Sequence, residues 1–239
     1  MLFTREQVRD NVRNLQGKRV FFLGKNDCLT SEARDYLRAE RIEILPASQA
    51  RPERYHLIGG GYLEEKPEHM THLDGSTLVP KTHPRIIFRG KMDTLEAELL
   101  LAIGMVPGMG GELGEILTFA RKLLRSEVLG TPVEDVALLG LSEGELRQHS
   151  HFPQEHYGIP HFMPEATDGA EIAWLNRARC AAREAELAAA EAFSDREGQM
   201  TRQDLLRAMN RMSSAIYLLM IRQKKLRCRK QDEGKEGNP

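Results

Sequence analysis

Four stretches of the chain repeat apolar residues with the period of an α-helix, and this pattern constrains the fold more than any other feature. The first two stripes comprise Leu95, Leu99, Ala102, Ile103 and Val106, then Leu113, Ile116, Leu117, Ala120, Leu123, Leu124 and Val128. A third helix is predicted from about Gly169 to Phe193, and a fourth from Thr201, as its N-cap, to near Arg229. Residues 131–168 are predicted to be irregular. Four long helices favour an antiparallel bundle of four to five helices.

The residues before the bundle predict a small α/β extension. Its elements are a helix at 4–15 with Thr4 as N-cap, a strand at 18–24, a helix at 30–40 and a strand at 41–45. Residues 46–68 contain several glycines and prolines and are interpreted as a linker or an ordered loop. The predicted domains are therefore the extension with its linker (1–67), the helical bundle (68–229) and a disordered polar tail (230–239).

Composition excludes several classes of partner. The net charge is −1, from 34 basic and 35 acidic residues, so a general electrostatic attraction to nucleic acid is not expected. No apolar run approaches the ~20 residues of a membrane helix, and the charged N-terminus does not resemble a signal peptide. The cysteines Cys28, Cys180 and Cys228 are far apart and predict free thiols in a reducing compartment. We expect a soluble cytoplasmic protein without a membrane or nucleic-acid partner.

Residues 71–97 form the most informative segment for function. A polar loop with hydroxyl and glycine residues, 71–77, is followed by an extended run holding Lys81 and by a helix predicted to open at Met92–Asp93. Such a loop offers backbone N–H groups, hydroxyls and a cation to an anion such as phosphate. It is not a Walker A motif, so by itself it is a weak nucleotide signal.

The third and fourth helices carry polar groups that could complete a site. Arg179, Arg183 and Glu186 share one face of the third helix, where neighbouring alanines permit close packing. On the fourth helix, Asn210 and Ser213 or Ser214 border the apolar stripe and need partners. Two interpretations stay open for each set: a solvated or loop-capping face, or a ligand held at the edge of the bundle.

The histidines at 149–161 suggest a metal site only weakly. They are His149, His151, His156 and His161, and their spacing fits no common zinc pattern. No resident metal is predicted.

Four short patterns follow one another between about residues 68 and 222. The first is the loop Thr71–Thr77, and the second comprises Val79, Lys81, Arg85, Ile86, Gly90, Asp93 and Leu95. The third and fourth comprise Ala178, Arg179, Arg183, Ala185 and Glu186, then Met209, Asn210, Arg211 and Ser213. In this order they resemble the motifs of the ATP:cobalamin adenosyltransferases with a helical-bundle fold, most closely the ethanolamine-utilisation branch and then the propanediol-utilisation branch.

The resemblance implies the roles of individual residues. ATP and Mg²⁺ would be bound by Thr71, His72, Gly75, Ser76, Thr77, Lys81, Glu186, Asn210 and Arg211. Arg183, Asp93 and Arg179 would act in catalysis, with Asp93 forming an ion pair with Arg179 of a neighbouring subunit. Phe162 would line the corrinoid pocket, together with Met163 and Trp174. The implied assembly is a homo-oligomer, with a trimer favoured, whose partners include a cobalamin-dependent ammonia-lyase or reductase, in the cytoplasm or inside a bacterial microcompartment.

The chain also departs from the family pattern. Ser214 stands where the family has Asp, Leu187 where it has Arg, and the ATP loop is shorter. An ungapped match places His161, rather than Phe162, at the aromatic position that displaces the lower cobalt ligand. Some members of the ethanolamine branch bind a metal through a cysteine cluster, which this chain lacks between Cys28 and Cys180.

The implied reaction transfers the 5′-deoxyadenosyl group of ATP to cob(I)alamin, to supply ethanolamine ammonia-lyase. Two alternatives stay open. The first is a non-catalytic corrinoid carrier or scaffold of an ethanolamine-utilisation assembly, which the departures at Leu187 and Ser214 support. The second is a metallohydrolase that uses the histidines at 149–161.

Overall fold

The computed structural model describes residues 1–15, 18–49, 55–63, 65–195 and 197–236. The chain divides into two compact units, Met1–Lys66 and Pro67–Pro239, and each has an apolar core of its own. Parts of the predicted linker (50–54 and 64) and the end of the predicted tail (237–239) lie outside the described residues.

The first unit is a small α/β assembly. Its elements are β1 (Leu2–Phe3), α1 (Arg5–Asp10), β2 (Arg13–Leu15), β3 (Lys18–Leu23), β4 (Cys28–Leu29), α2 (Ser31–Ala39), β5 (Glu43–Pro46), β6 (Tyr55–Leu57) and β7 (Tyr62–Leu63). Strand β3 pairs antiparallel with β2 and parallel with β5, and β6 forms a hairpin with β7. The helices cover Phe21 through buried Val8, Ala33 and Leu37.

The predicted helix at 4–15 is too long. Thr4 does cap α1, in a capping box with Gln7, but the helix ends at Asp10. The side chain of Asn11 donates a hydrogen bond to the Gln7 carbonyl, which satisfies a terminal carbonyl and ends the helix. The chain then turns into β2 rather than continuing as helix.

The second unit is the predicted mainly helical bundle. Its elements are β8 (Met70–Asp74), β9 (Thr77–Pro80), α3 (Pro84–Met105), α4 (Gly110–Leu129), β10 (Ala137–Leu138), β11 (Leu141–Ser142), α5 (Glu143–His151), α6 (Pro153–Tyr157), α7 (Ala170–Phe193) and α8 (Gln203–Glu236). A 3₁₀ turn at Ala166–Asp168 precedes α7. Among the residues that the structure describes, every helix lacks the combination of length and apolar character that a membrane crossing requires.

Pairwise side-chain contacts show that the four long helices run antiparallel to their neighbours. Lys91 pairs with Glu184 and Glu98 with Arg177, so sequence order on α3 is reversed on α7. The same reversal joins α7 to α8, where Glu186 contacts Asn210 and, further along, Asp168 contacts Lys224. Most residues of the apolar stripes predicted from the sequence are buried, although Ile103 and Leu124 are only partly buried and Val128 is 44% exposed.

Two predictions about the part of the second unit before α7 are wrong. Helix α3 begins at Pro84 and not at Met92, because the His83 side chain accepts a hydrogen bond from the Arg85 N–H and proline occupies the first turn. Residues 131–168 are not irregular throughout, since a capping box between Ser142 and Glu145 starts α5.

The fourth helix differs from its prediction at both ends. Helix α8 begins at Gln203 and continues to Glu236, beyond the predicted end near Arg229 and into the predicted tail. Thr201, the predicted N-cap, instead donates its hydroxyl hydrogen to the carbonyl of Phe193. Its side chain therefore ties the start of α8 to the end of α7.

Candidate functional site

The predicted phosphate-binding loop is a β-hairpin. Strands β8 and β9 pair antiparallel, with Thr71 opposite Val79 and Asp74 opposite Thr77, so only Gly75 and Ser76 form the turn. Gly75 has a φ of +39°, in the region that glycine adopts without strain. His72, Gly75 and Ser76 are exposed, whereas Thr71 and Thr77 are half-buried. The hairpin presents hydroxyls and turn amides to solvent at one end of the bundle unit.

Lys81 follows the hairpin directly. Its side chain is exposed, and its ammonium group lies 2.9 Å from a carboxylate oxygen of Glu68. Within the described residues, no hydrogen bond or ion pair joins Lys81 to α7 or α8. In one chain, the structure therefore does not connect Lys81 with Arg183 or Asn210.

A polar cluster links α7 and α8. The side-chain amide of Asn210 donates a hydrogen bond of 2.8 Å to Glu186 Oε1, and its carbonyl oxygen accepts one from Arg211. Burial lowers the pKa of Arg211, and its buried Nε has no hydrogen-bond partner among the described residues. Arg183 lies one helical turn before Glu186 and is exposed, and within the described residues it makes no hydrogen bond or ion pair. The structure thus brings together three of the predicted site residues, Glu186, Asn210 and Arg211.

A surface pocket of about 470 Å³ lies beside this cluster, because its lining includes Arg179, about two helical turns before Glu186 on α7, and Ser213, about one turn after Asn210 on α8. It is lined by residues that include Arg179, His161, Phe162, Met163, Ser214 and Tyr217. Trp174, which was predicted to line the corrinoid pocket, does not line this one; its ring packs under the Arg177 guanidinium instead.

Tyr217 organises the pocket. The Arg179 guanidinium lies 5.2 Å from the centre of the Tyr217 ring, and His161 Nδ1 lies 2.9 Å from the Tyr217 hydroxyl. Phe162 stacks at 6.3 Å on the same ring, and the Lys224 ammonium lies 5.4 Å from the centre of the Phe162 ring. Burial raises the pKa of Tyr217, so the hydroxyl stays protonated at neutral pH. The pocket combines aromatic faces with cations at its edge.

Tyr217 was missed at the sequence level, although a signal for it exists. It follows Asn210 by seven positions and Ser213 by four on α8, which places all three on one helix face. From the sequence, His161 was considered as one of the histidines of a weakly indicated metal site and as the alternative to Phe162 at the aromatic position. The structure shows that both side chains line the pocket, on successive residues of the same loop.

Asp93 and Arg179 are not paired within the chain. Asp93 lies on an exposed part of α3 and makes no hydrogen bond or ion pair among the described residues, while Arg179 packs on Tyr217. The predicted ion pair joins two subunits, and it therefore stays a prediction.

The histidines at 149–161 make aromatic and hydrogen-bond contacts rather than forming one cluster. The rings of His149 and His156 stack with centroids 3.8 Å apart, and His149 Nδ1 lies 3.0 Å from the Tyr157 hydroxyl. Burial lowers the pKa of His149 and favours its neutral form. In the described ranges, no three His, Cys, Asp or Glu side chains are grouped so that they could hold a metal ion.

Comparison with known proteins gives consistent matches. Residues 61–223 match the family model described as cobalamin adenosyltransferase. The chain is 35% identical over 158 residues to the corrinoid adenosyltransferase EutT of Escherichia coli, which covers 66% of this chain and 59% of that relative. It is 34% identical over 188 residues to EutT of Salmonella typhimurium, over 78% of this chain and 70% of the relative. The chain therefore spans less than two thirds of the length of the Escherichia coli relative.

One solved structure also aligns with the chain. It is a variant PduO-type ATP:corrinoid adenosyltransferase from Lactobacillus reuteri, complexed with cobalamin and ATP. The alignment has a TM-score of 0.49 and 19% identity, and it covers 69% of this chain and 91% of that one.

Proposed function

Because the chain belongs to the cobalamin adenosyltransferase family, we propose that it transfers the 5′-deoxyadenosyl group of ATP to cob(I)alamin. The cobalt lone pair forms a bond to C5′ of ATP, the C5′–O5′ bond breaks, and triphosphate leaves with that electron pair. The observation that carries the proposal is the placement of an aromatic pocket around Tyr217 next to the polar Glu186–Asn210–Arg211 cluster. A large planar substrate and a polyanion could meet there.

The protein's tasks in this reaction are positioning and electrostatics, since cobalt itself is the nucleophile. The hairpin amides and the side chains of Thr71, His72, Ser76 and Thr77 would bind phosphate oxygens, and Gly75 would allow the tight turn. Lys81 and Arg183, both exposed, would neutralise the charge that gathers on the leaving triphosphate. These cations are most useful where charge develops in the transition state.

Mg²⁺ fits the polar cluster. Glu186 Oε1 accepts a hydrogen bond from the Asn210 side chain, whereas Oε2 makes no hydrogen bond within the described residues. Such an oxygen suits a water of the Mg²⁺ shell, and the ion would screen the triphosphate charge. Asn210 and Arg211 would fix the orientation of Glu186 relative to the bound nucleotide.

The pocket would take the corrin ring. Phe162 and Tyr217 offer aromatic faces, and Arg179 supplies a cation at the edge for the polar side groups of the ring. A dry pocket favours cobalt without its lower ligand, which makes the metal easier to reduce. Either Phe162 or His161 would occupy the side from which that ligand is displaced.

We further propose a homo-oligomer, with a trimer favoured, that supplies a cobalamin-dependent ammonia-lyase in ethanolamine use, in the cytoplasm or a microcompartment. Arg183 and Asp93 are both exposed in one chain, as expected of groups that meet a second subunit. Exposed Leu100, Leu101 and Met105 on α3 add an apolar surface that a neighbouring chain would cover.

The decisive experiment is an anaerobic incubation of the purified chain with ATP and chemically reduced cobalamin. We expect a visible spectrum of adenosylcobalamin that is lost on illumination, because light breaks the cobalt–carbon bond homolytically and leaves cob(II)alamin. Reactions without ATP, and without protein, are the controls. Absence of the light-sensitive product with a folded protein would contradict the proposal.

A carrier or scaffold role is the second candidate, and the two-residue turn at Gly75 and Ser76 favours it because a short turn offers few amides to a triphosphate. Calorimetric titration with Mg·ATP separates the two functions. Binding at millimolar affinity or better supports the transferase, whereas corrinoid binding without ATP binding supports the carrier.

A further inference from the structure

Glu127, on α4, is a fully buried carboxylate held by two arginines of α3. Arg85 Nε donates to Oε1 at 2.6 Å, and Arg89 Nε donates to Oε2 at 2.7 Å. The Glu127 side chain is 0% exposed, and those of Arg85 and Arg89 are 24% and 19% exposed. A buried carboxylate needs such partners, and its two oxygens fix the orientation of both guanidinium groups.

The two arginines use their remaining donors differently. Arg85 Nη2 donates to the backbone carbonyl of Glu127 itself, at 3.2 Å. Arg89 Nη2 instead donates to the backbone carbonyl of Leu73, at 2.9 Å, in addition to its contact with Glu127. Arg89 therefore joins the buried carboxylate to the β8–β9 hairpin, and Arg85 does not.

Leu73 is an unusual point in the hairpin. The strand register shifts between His72 and Asp74, so Leu73 lies in a β-bulge and has no partner of its own in the ladder. Its side chain is buried, at 4% exposure, and its carbonyl is taken by Arg89. The bulge lies two residues before Gly75, so the Arg89 contact acts on the strand that leads directly into the turn.

We propose that Arg89, oriented by Glu127, is a positioning residue that sets where the hairpin turn presents its amides and hydroxyls to the triphosphate of ATP. The inference rests on the proposed function, because it assigns a purpose to a contact of the same site. Arg89 would act on the nucleotide only through the hairpin, because its donors are engaged by Glu127 and the Leu73 carbonyl. Its guanidinium fork reaches both the carboxylate and the Leu73 carbonyl, which a lysine ammonium cannot do with the same geometry.

The test compares Arg89→Lys with Arg177→Lys. Both variants keep a positive charge beside a glutamate of low exposure, because Arg177 pairs with Glu98 at 2.6 Å just as Arg89 pairs with Glu127. The two differ in that Arg177 does not contact the hairpin. In Arg89→Lys we expect KM for ATP to rise roughly tenfold, with kcat and KM for cobalamin within about threefold of wild type. In Arg177→Lys we expect KM for ATP to stay at the wild-type value.

Hydrogen exchange gives a second readout that does not need turnover. Amides of residues 71–79 should exchange faster in Arg89→Lys than in wild type, and at the wild-type rate in Arg177→Lys. If wild type is active but Arg89→Lys keeps its KM for ATP and its hairpin protection, the positioning role is overturned. If wild type makes no adenosylcobalamin, the proposed function fails, and the exchange data still decide whether Arg89 holds the hairpin.

Glu127→Gln completes the experiment by keeping the side-chain shape while removing the charge. We expect it to raise KM for ATP in the same direction as Arg89→Lys, because the neutral amide orients Arg89 less strongly. An unchanged KM in a folded Glu127→Gln protein would contradict the role given to the carboxylate. Thermal melting of each variant shows whether it is folded, and Arg89→Lys carries the test if Glu127→Gln is not.

Discussion

At the scale of single residues, the candidate site divides into groups that are already engaged and groups that are free. Glu186, Asn210 and Arg211 hold one another, and Arg179 and Phe162 share the Tyr217 ring. Arg183 is different, because it is exposed and makes no ion pair within the described residues. A free cation next to an ordered cluster is suited to a ligand that brings its own negative charge.

Arg183→Ala should lower turnover by ~10²-fold or more, the usual loss when one preorganised charge contact is removed. Turnover is measured as adenosylcobalamin formed per protein under saturating substrates. Arg125→Ala is the matched control, since Arg125 is also exposed and unpaired among the described residues but lies on α4. Near-normal turnover in Arg183→Ala would remove this arginine from the site.

Asp204 makes a separate, pH-dependent contribution to stability. The guanidinium of Arg202 lowers the pKa of Asp204 to about 2, assisted by the Val133 N–H. A carboxyl whose pKa is lowered on folding stabilises the protein at pH values above the pKa that the group has in the unfolded chain. This stabilisation is lost as the pH falls from about 4 towards 2. The contribution at neutral pH is roughly 2 kcal/mol.

We therefore expect Asp204→Asn to be less stable than wild type by about 1–2 kcal/mol at pH 7 and by less at pH 2.5. Urea unfolding at both pH values measures the difference. If Asp204→Asn is less stable than wild type by the same amount at both pH values, the ionised Asp204 carboxylate is not the source of the stability.

At the scale of elements, the start of α3 determines which residues the functional segment presents. Because His83 caps the helix, Arg85 and Arg89 are helical and turn towards Glu127 rather than lying in an extended run. The extended run predicted from the sequence ends at β9, and Lys81 lies just beyond it. This cap therefore places Arg85 and Arg89 on the helix, where both contact Glu127, whereas Lys81 lies before the helix.

His83→Ala should cost about 1 kcal/mol of unfolding free energy, as expected for loss of an N-cap acceptor. Burial, and then the charges of Arg85 and Arg89, lower the pKa of His83, although Glu127 opposes the shift. Because the pKa of His83 is lower in the folded than in the unfolded chain, the unfolded chain binds a proton on His83 more readily. The free energy of unfolding therefore decreases as the pH drops below about 6.5.

Chemical denaturation of wild type and His83→Ala at pH 7.5 and pH 5.5 tests this. The difference between the two proteins should be larger at pH 7.5, because the variant lacks the group whose protonation opposes folding. An equal difference at both pH values would mean that His83 does not titrate with folding.

At the scale of the whole molecule, one chain holds the predicted site residues in separate places. The hairpin with Lys81 is fixed to α3 and α4 through Arg89, whereas Asn210, Arg211 and Glu186 join α7 to α8. Asp93 faces outward from α3. A second copy of the chain would bring the two sets together if its hairpin met the α7–α8 edge of the first.

Asp93→Asn should weaken assembly, activity or both, because it leaves a positive partner in the neighbouring subunit without its counter-charge. Light scattering after size-exclusion chromatography gives the oligomeric mass, and the adenosylation assay gives the rate. Glu191→Gln, which removes an exposed carboxylate from α7, is the control. An unchanged mass together with an unchanged rate would reject the intersubunit pair.

The sequence by itself determined the mainly helical fold, the four long helices and the inward-facing apolar stripes, because helical periodicity is a local property that burial enforces along each segment. It also placed the family motifs in order. The tertiary structure decided that the loop at 71–77 is a hairpin, that Arg179 and Phe162 meet on Tyr217, and that Glu127 is shared by Arg85 and Arg89. Those partners are far apart along the chain, and their pairing depends on which polar groups packing brings together away from water.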